Sequence, residues 1–243
     1  MLSWALALSP PVEAQDYTRR SFLVPEGEFE LTGEPARPRI LRVDVSREDP
    51  GRPLALSPHF YWGASDHVTL GITHRTGVCL SGCGDRPYND AGFAILAELT
   101  RSPAFELDLH MGLEARSFDP FFFGMRAGVI GRVTFGRAPV AFVFDPHLYA
   151  GFTERDQGNR EQVVLPFWFY FQASDVVVPF VGATFAGPLD GFGDALAIPV
   201  EAGILFEVSR DVDLGFYFRF ENLLGRDPTP DAREAGMLAR FRF

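Results

Sequence analysis

The chain has 243 residues, among them 25 phenylalanines and 24 glycines, and its formal net charge at pH 7 is −10. The negative charge excludes nucleic acid as a partner, because binding to phosphates needs a basic surface. Phenylalanine, valine and tyrosine favour strands, and alternation of apolar with polar residues recurs along the chain. Long helical periodicity does not recur, so the sequence predicts an all-β protein.

The N-terminal stretch, "MLSWALALSPPVEA" (1–14), has the pattern of the end of a secretory signal. An apolar core is followed by the small residues Val12 and Ala14, before a possible cleavage site ahead of Gln15. A basic region in front of the core is lacking and the core is short. The alternative is a loose N-terminal arm.

Twelve strands are predicted from alternation, the first of them interrupted by Pro35 and Pro38. The most apolar run, 163–171, is far shorter than the roughly 20 residues of a membrane-spanning helix, and it matches the roughly 9–11 residues of a tilted membrane strand. The predicted strands are 27–45, 53–63, 66–75, 88–100, 103–115, 121–135, 138–152, 160–172, 175–186, 195–208, 211–221 and 234–243.

Short and long links between these strands alternate along the chain. The short links lie at 63–65, 100–103, 135–138, 173–175 and 209–211. The long links lie at 74–89, 116–121, 153–161, 186–195 and 221–234. An up-and-down meander whose two ends face different compartments produces this pattern, and an even strand number puts both termini at the end with short links.

The first long link contains the two cysteines of the chain, Cys79 and Cys83, in "GVCLSGCGD". Their spacing in a glycine-rich turn predicts a small disulfide in an oxidising compartment. A metal site needs about four ligands. Only His74 lies close by, so no metal site is predicted.

Strand 103–115, "PAFELDLHMGLEA", shows the two faces most clearly, with Phe105 and Leu107 on one side and Glu106 and Asp108 on the other. In a soluble barrel the apolar face points inward, whereas in a membrane barrel it points to lipid and the charged face lines the lumen. The apolar rows are long and continuous, and glycines recur in the polar rows, which favours the membrane arrangement. The residues predicted to line the lumen are Glu106, Asp108, His110, Glu114, Arg126, Arg132, Asp145, His147, Glu201, Glu207, Asp213, Arg219, Arg240 and Arg242.

Strands 160–172 and 175–186 fit this pattern less well. Trp168 and Tyr170 fall on the predicted lumen face, and Pro166 and Pro179 remove donors from the hydrogen-bond ladder. The prolines are therefore expected at bulges or near the outer rim.

The chain ends in "AGMLARFRF", where Met237, Ala239, Phe241 and Phe243 share one face of a strand. This ending resembles the C-terminal strand of bacterial outer-membrane β-barrel proteins, which the barrel-assembly machinery reads. The resemblance implies an up-and-down antiparallel transmembrane β-barrel of about 12 strands in the bacterial outer membrane, with both termini periplasmic. Its other partners would be outer-membrane lipid and lipopolysaccharide. The implied organisation is a possible signal-peptide remnant (1–14), an N-terminal periplasmic arm (15–26) and an outer-membrane β-barrel (27–243).

The function expected of such a barrel is a narrow pore for passive transport, or a structural role in the envelope, with a lumen of neutralising ion pairs. One alternative is an enzyme acting on lipid or lipopolysaccharide, with His110 or His147 as base, each two residues after an aspartate. Another is a soluble β-barrel that binds an apolar ligand. Asp190 and Asp194 indicate either a Ca²⁺ contact or a flexible outer loop. No catalytic residue, cofactor or metal is predicted.

Overall fold

The computed structural model describes residues 17–45, 54–82, 87–135 and 138–243. Within them no helix has the length and apolar character needed to cross a membrane. There are two short 3₁₀ turns, Tyr17–Arg19 and Arg155–Gln157. The strand segments are β1 (Phe29–Thr32), β2 (Arg39–Asp44), β3 (Leu54–Leu56), β4 (His59–Ser65), β5 (Val68–Thr73), β6 (Val78–Ser81), β7 (Ala91–Ser102), β8 (Phe105–Phe118), β9 (Phe121–Thr134), β10 (Val140–Phe144), β11 (His147–Gly151), β12 (Gln162–Phe171), β13 (Val177–Pro188), β14 (Val200–Ser209), β15 (Val212–Asn222) and β16 (Thr229–Arg242).

These segments form one closed antiparallel barrel of 12 strands. Closure occurs where β1 pairs with both β4 and β16. Four barrel strands consist of two successive segments each, namely β1 with β2, β3 with β4, β5 with β6, and β10 with β11. The predicted all-β, up-and-down barrel is confirmed.

The first barrel strand is broken between β1 and β2, where Pro35 and Pro38 interrupt the sequence pattern. Residues 33–38, here called the inward loop, leave the wall and enter the barrel, where Ala36 and Arg37 are buried. The Tyr170 hydroxyl donates a hydrogen bond to the Ala36 carbonyl at 2.7 Å. Proline cannot donate to the ladder, so the chain departs from the sheet at this point.

A second break separates β10 from β11 at Asp145 and Pro146. Pro166 of β12 lies beside it, and its carbonyl accepts a hydrogen bond from the Asp145 amide at 3.2 Å. The Asp145 side chain lies inside the barrel at this break, where it is buried like that of Val143.

The two ends of the barrel differ. At the short-turn end, pairs of residues such as 66–67, 103–104 and 210–211 connect the strands. The last strand closes here, because the backbone groups of Phe29 and Phe243 exchange hydrogen bonds of 2.8 and 2.9 Å. At the long-loop end the described connections include 152–161, 189–199 and 223–228.

Two predicted long links differ from the structure, and in the first of them, 74–89, the segment β6 pairs with β3. Residues 116–121 were expected to form a loop, but Phe118 of β8 pairs with Phe121 of β9 around a two-residue turn. Asp and Pro favour tight turns. The flanking phenylalanines continue the two strands, so the ladder runs to the turn.

Large apolar side chains cover the outside of the barrel. Phe216 is 56% exposed and Phe218 is 38% exposed, whereas Glu106 and Asp213 are 0% exposed. The ionised residues therefore lie inside and the apolar residues outside, which is the reverse of a soluble protein.

Aromatic rings inside the barrel lie against glycines of the neighbouring strand. A Cβ at Gly182 would overlap the Trp168 ring, and a Cβ at Gly203 would overlap the Phe180 ring. Glycine in the polar rows thus leaves room for rings that lie along the inner wall. Trp168 and Tyr170, which fitted the sequence pattern least well, are buried inside for this reason. With the inward loop they fill much of the barrel interior.

Candidate functional site

The interior of the barrel contains a cavity of about 410 Å³ in the half towards the long loops, here called the vestibule. Its arginines are Arg37, Arg39, Arg42, Arg75, Arg116, Arg126 and Arg219. Its carboxylates are Glu34, Glu114, Asp145, Glu221 and Glu234. Seven arginines face these five carboxylates and Glu201, which pairs with Arg37, so the formal charge is +1 in a chain whose net charge is −10. The vestibule is therefore a basic site within an acidic protein.

Most of the vestibule arginines are paired with a carboxylate. Arg39 Nη1 lies 2.8 Å from Glu234 Oε1, and Arg116 Nε lies 2.9 Å from Glu114 Oε2. Arg42 reaches Glu234 only at 4.0 Å. Among the described residues, Arg75 and Arg219 have no carboxylate within 4.0 Å, and the buried Nε of Arg219 has no hydrogen-bond partner. These two guanidinium groups give the vestibule capacity to hold an anion.

The inward loop supplies Arg37 to the base of the vestibule. Its guanidinium forms an ion pair with Glu201 of β14, across the barrel. The Trp168 indole N–H also donates to Glu201. The guanidinium lies 5.7 Å from the Trp168 ring centroid and 5.8 Å from that of Tyr217, within the range of cation–π contact. These contacts fix the loop against the part of the wall formed by β12–β15.

A histidine and an aspartate meet in the vestibule, but in a different pairing from that predicted. His110 Nδ1 lies 3.0 Å from Asp145 Oδ1, and Arg126 shares the same carboxylate. The His147 Nδ1 contacts the Asp145 backbone carbonyl at 2.8 Å. Asp108, which also lies two residues before a histidine, does not hold His110, because both of its buried carboxylate oxygens lack a hydrogen-bond partner among the described residues.

At the short-turn end the barrel is filled by residues 17–26, here called the N-terminal segment. Arg20 is buried and its Nη1 lies 2.6 Å from Asp213 Oδ2, while its Nη2 lies 3.4 Å from Glu207 Oε1. The Ser21 hydroxyl donates to Glu106 at 2.6 Å. Leu23 and Val24 belong to the apolar core inside the barrel. Burial raises the pKa of the Tyr17 hydroxyl.

The wall residues around this segment form pairs of their own. Arg132 Nη2 lies 2.5 Å from Glu106 Oε2, and Arg240 Nη2 lies 2.5 Å from Asp213 Oδ2. Both pairs join residues directly opposite each other on adjacent strands. The inner wall at the short-turn end therefore carries ion pairs between adjacent strands.

The structure distributes the predicted lumen residues over these two regions. Those near the N-terminal segment are Glu106, Asp108, Arg132, Glu207, Asp213, Arg240 and Arg242, and those at or beside the vestibule are His110, Glu114, Arg126, Asp145, His147, Glu201 and Arg219. Sequence reasoning missed Arg20, Arg37, Arg39 and Arg116. Arg39 lies in the first predicted strand and was open to detection. Arg37 lies between the two prolines that interrupt this strand, and Arg20 lies outside any predicted strand.

Some predicted features fall elsewhere. Met237 is exposed on the outer face, and Phe243 stacks on Phe29 with centroids 6.5 Å apart. Their role in assembly stays a prediction. Cys79 lies in β6, but Cys83 is outside the described residues, as is the signal-like stretch 1–14, so both of those predictions stand untested.

No family model matches the chain, and no curated protein matches it in sequence. Solved structures do resemble it. The KdgM porin aligns with a TM-score of 0.56 and 7% identity, covering 89% of this chain and 98% of the porin. The NanC porin aligns with a TM-score of 0.58 and 5% identity, covering 84% and 98%. A KdgM structure in complex with disordered oligogalacturonate gives a TM-score of 0.56 at 6% identity, covering 89% and 98%. The chain thus has the fold of these porin barrels.

Proposed function

We propose that this protein is a bacterial outer-membrane porin-type channel, and that its vestibule admits small anionic solutes. The observation that carries this proposal is the lining of the vestibule, in which arginines outnumber carboxylates and Arg75 and Arg219 have no carboxylate partner among the described residues. A ring of cationic side chains in a narrow lumen attracts anions and repels cations.

The outer surface supports a membrane location. Phenylalanines project from the outside of the wall along β15, and Asp213 of the same strand is buried within. An aromatic group at the long-loop end, including Tyr88 and Phe118 with ring centroids 5.7 Å apart, corresponds to the girdle expected at a membrane interface. We therefore expect heat-modifiable migration on gels and release from membranes by detergent only.

The vestibule offers a direct binding test through Trp168, which lies on its wall beside Arg37. The KdgM structure with oligogalacturonate suggests this uronic-acid oligomer as the first probe. We expect oligogalacturonate to change tryptophan fluorescence in a saturable manner, and a neutral oligosaccharide of equal length to leave it unchanged. Equal effects of both probes would refute the preference for anions.

Ion selectivity provides the second test, with the full chain in planar bilayers under a salt gradient. Arg219→Gln and Arg75→Gln remove one positive charge each from the vestibule, and Arg210→Gln removes one from the exposed turn 210–211 as a control. The first two variants should move the reversal potential towards cation preference, and the control should leave it unchanged. A wild-type channel that prefers cations would overturn the proposal.

A further inference from the structure

The N-terminal segment closes the short-turn end by docking onto the wall, without becoming part of the barrel sheet. Its described contact with the ladder is one isolated bridge, between Glu26 and Gly63. Otherwise wall side chains hold it: Gln172 accepts from the Tyr17 amide at 3.0 Å, and Thr69 accepts from the Val24 amide at 2.9 Å. The inward loop differs, because strands of the wall continue from both of its ends.

The wall carboxylates that hold this segment have a second partner in the wall. Glu106 accepts from the Ser21 hydroxyl and also pairs with Arg132. Asp213 pairs with Arg20 and also with Arg240. If the segment leaves, each carboxylate keeps the arginine on the adjacent strand, so neither becomes an unpaired charge in the barrel. These two carboxylates therefore stay paired with a wall arginine when the segment is absent.

The junction between the segment and β1 permits movement. Gly27 has a φ of +79°, a conformation that side-chain-bearing residues rarely adopt, and a Cβ there would meet nothing within 4 Å. A glycine of this kind absorbs backbone rotation at low cost. Rotation at Gly27 would move residues 17–26 away from the wall without changing any strand.

We propose that residues 17–26 are a displaceable gate, latched by Arg20 to Asp213 and Glu207, and that the channel conducts when this gate leaves the short-turn end. The inference rests on the proposed channel function and adds its regulation. Arg20 is the latch because it is the buried cation of the segment and its contacts cross to two neighbouring strands, β14 and β15. The apolar contacts of Leu23 and Val24 further stabilise the closed state.

Conductance of single channels tests the gate. Arg20→Ala removes the latch, and Arg19→Ala, at an exposed position of the same segment, is the matched control. The open fraction should rise about tenfold or more for Arg20→Ala, because a hydrogen bond to a charged group contributes enough for a change of that size, and should stay unchanged for Arg19→Ala. Equal open fractions in wild type and both variants would overturn the gate.

A disulfide lock gives the opposite perturbation. The Val24 amide and the Thr69 hydroxyl are 2.9 Å apart, which keeps the two Cα atoms within about 7 Å, the upper limit for a disulfide. Oxidised V24C/T69C should stay closed and should open on reduction, whereas wild type treated identically should not change. If conductance is the same with the disulfide oxidised and reduced, the conduction pathway does not pass residues 17–26.

A third readout separates the gate from the channel itself. Val24 is buried, so a maleimide that cannot cross membranes should label V24C slowly, and Arg20→Ala should accelerate that labelling, with Arg19→Ala again as control. Accelerated labelling without conductance in any variant would refute the channel and leave displacement of the segment established. Steady conductance with slow labelling in every variant would refute the gate and leave the channel standing.

Discussion

The exposed row of phenylalanines on β15 allows the environment of the outer surface to be tested by depth. Phe216 lies near the middle of Val212–Asn222 and is 56% exposed, and Val208, one residue from the end of β14, is 60% exposed. An arginine facing lipid near the bilayer midplane costs about 2–4 kcal/mol, and near the interface about 0–1 kcal/mol. Phe216→Arg should therefore cost about 2–4 kcal/mol relative to Phe216→Ala, and Val208→Arg relative to Val208→Ala about 0–1 kcal/mol.

The measurement is the free energy of unfolding in lipid vesicles, from urea titrations of the four variants. A cost of 2.8 kcal/mol would correspond to about a hundredfold change in the folding equilibrium, since each 1.4 kcal/mol is about tenfold. If the outer face met water, both arginines would be nearly neutral. Equal costs at the two depths would refute the assignment of this face to lipid.

Changes at three further positions test the interior and the seam. Glu201→Ala should destabilise the barrel by about 3–5 kcal/mol, because it leaves the buried Arg37 without its main partner. Glu201→Gln should cost less in the same urea titration, because the glutamine keeps a hydrogen-bond acceptor for the Trp168 indole. Gly182→Val should cost about 1–3 kcal/mol, because its side chain would overlap the Trp168 ring. Deleting Phe243 should reduce the heat-modifiable fraction more than Phe243→Ala does, because the alanine keeps the backbone hydrogen bonds with Phe29 that close the barrel. A larger loss in Phe243→Ala would indicate that assembly requires the phenylalanine ring and not these hydrogen bonds.

The barrel could be predicted from the sequence because apolar residues, which face outward, alternate with polar residues, which face the interior, at the two-residue period of a strand. In 103–115 and 211–221 every second residue is apolar, and a slip by one residue would turn ionised groups outward. The interruption at Pro35 and Pro38 was visible for the same reason, since proline breaks the ladder. The turn at 116–121 was misread because polar and turn-forming residues occur there inside two long strands.

The contents of the barrel could not be predicted in this way. Arg20 contacts Asp213, 193 residues away, and residues 17–26 have no alternating pattern that would place them inside. The contact of His110 with Asp145 joins β8 to the break between β10 and β11, and β9 lies between these strands in the sheet. Such contacts follow from the closed geometry of the whole barrel, and a local pattern carries no signal of them.

A barrel of this size has an interior between the side-chain-filled eight-stranded case and the open sixteen-stranded one. Here the interior is divided: aromatic rings and residues 17–26 occupy the short-turn half, and the vestibule occupies the other.

Arg219 belongs to the vestibule and Arg20 to the gate, and the two guanidinium groups share no carboxylate among the described residues. Groups without shared partners act additively. Arg219→Gln should therefore change ion preference without changing the open fraction, Arg20→Ala should do the reverse, and the double variant should show both effects undiminished. Loss of anion preference in Arg20→Ala alone would mean that the segment at the short-turn end, and not the vestibule, selects the solute.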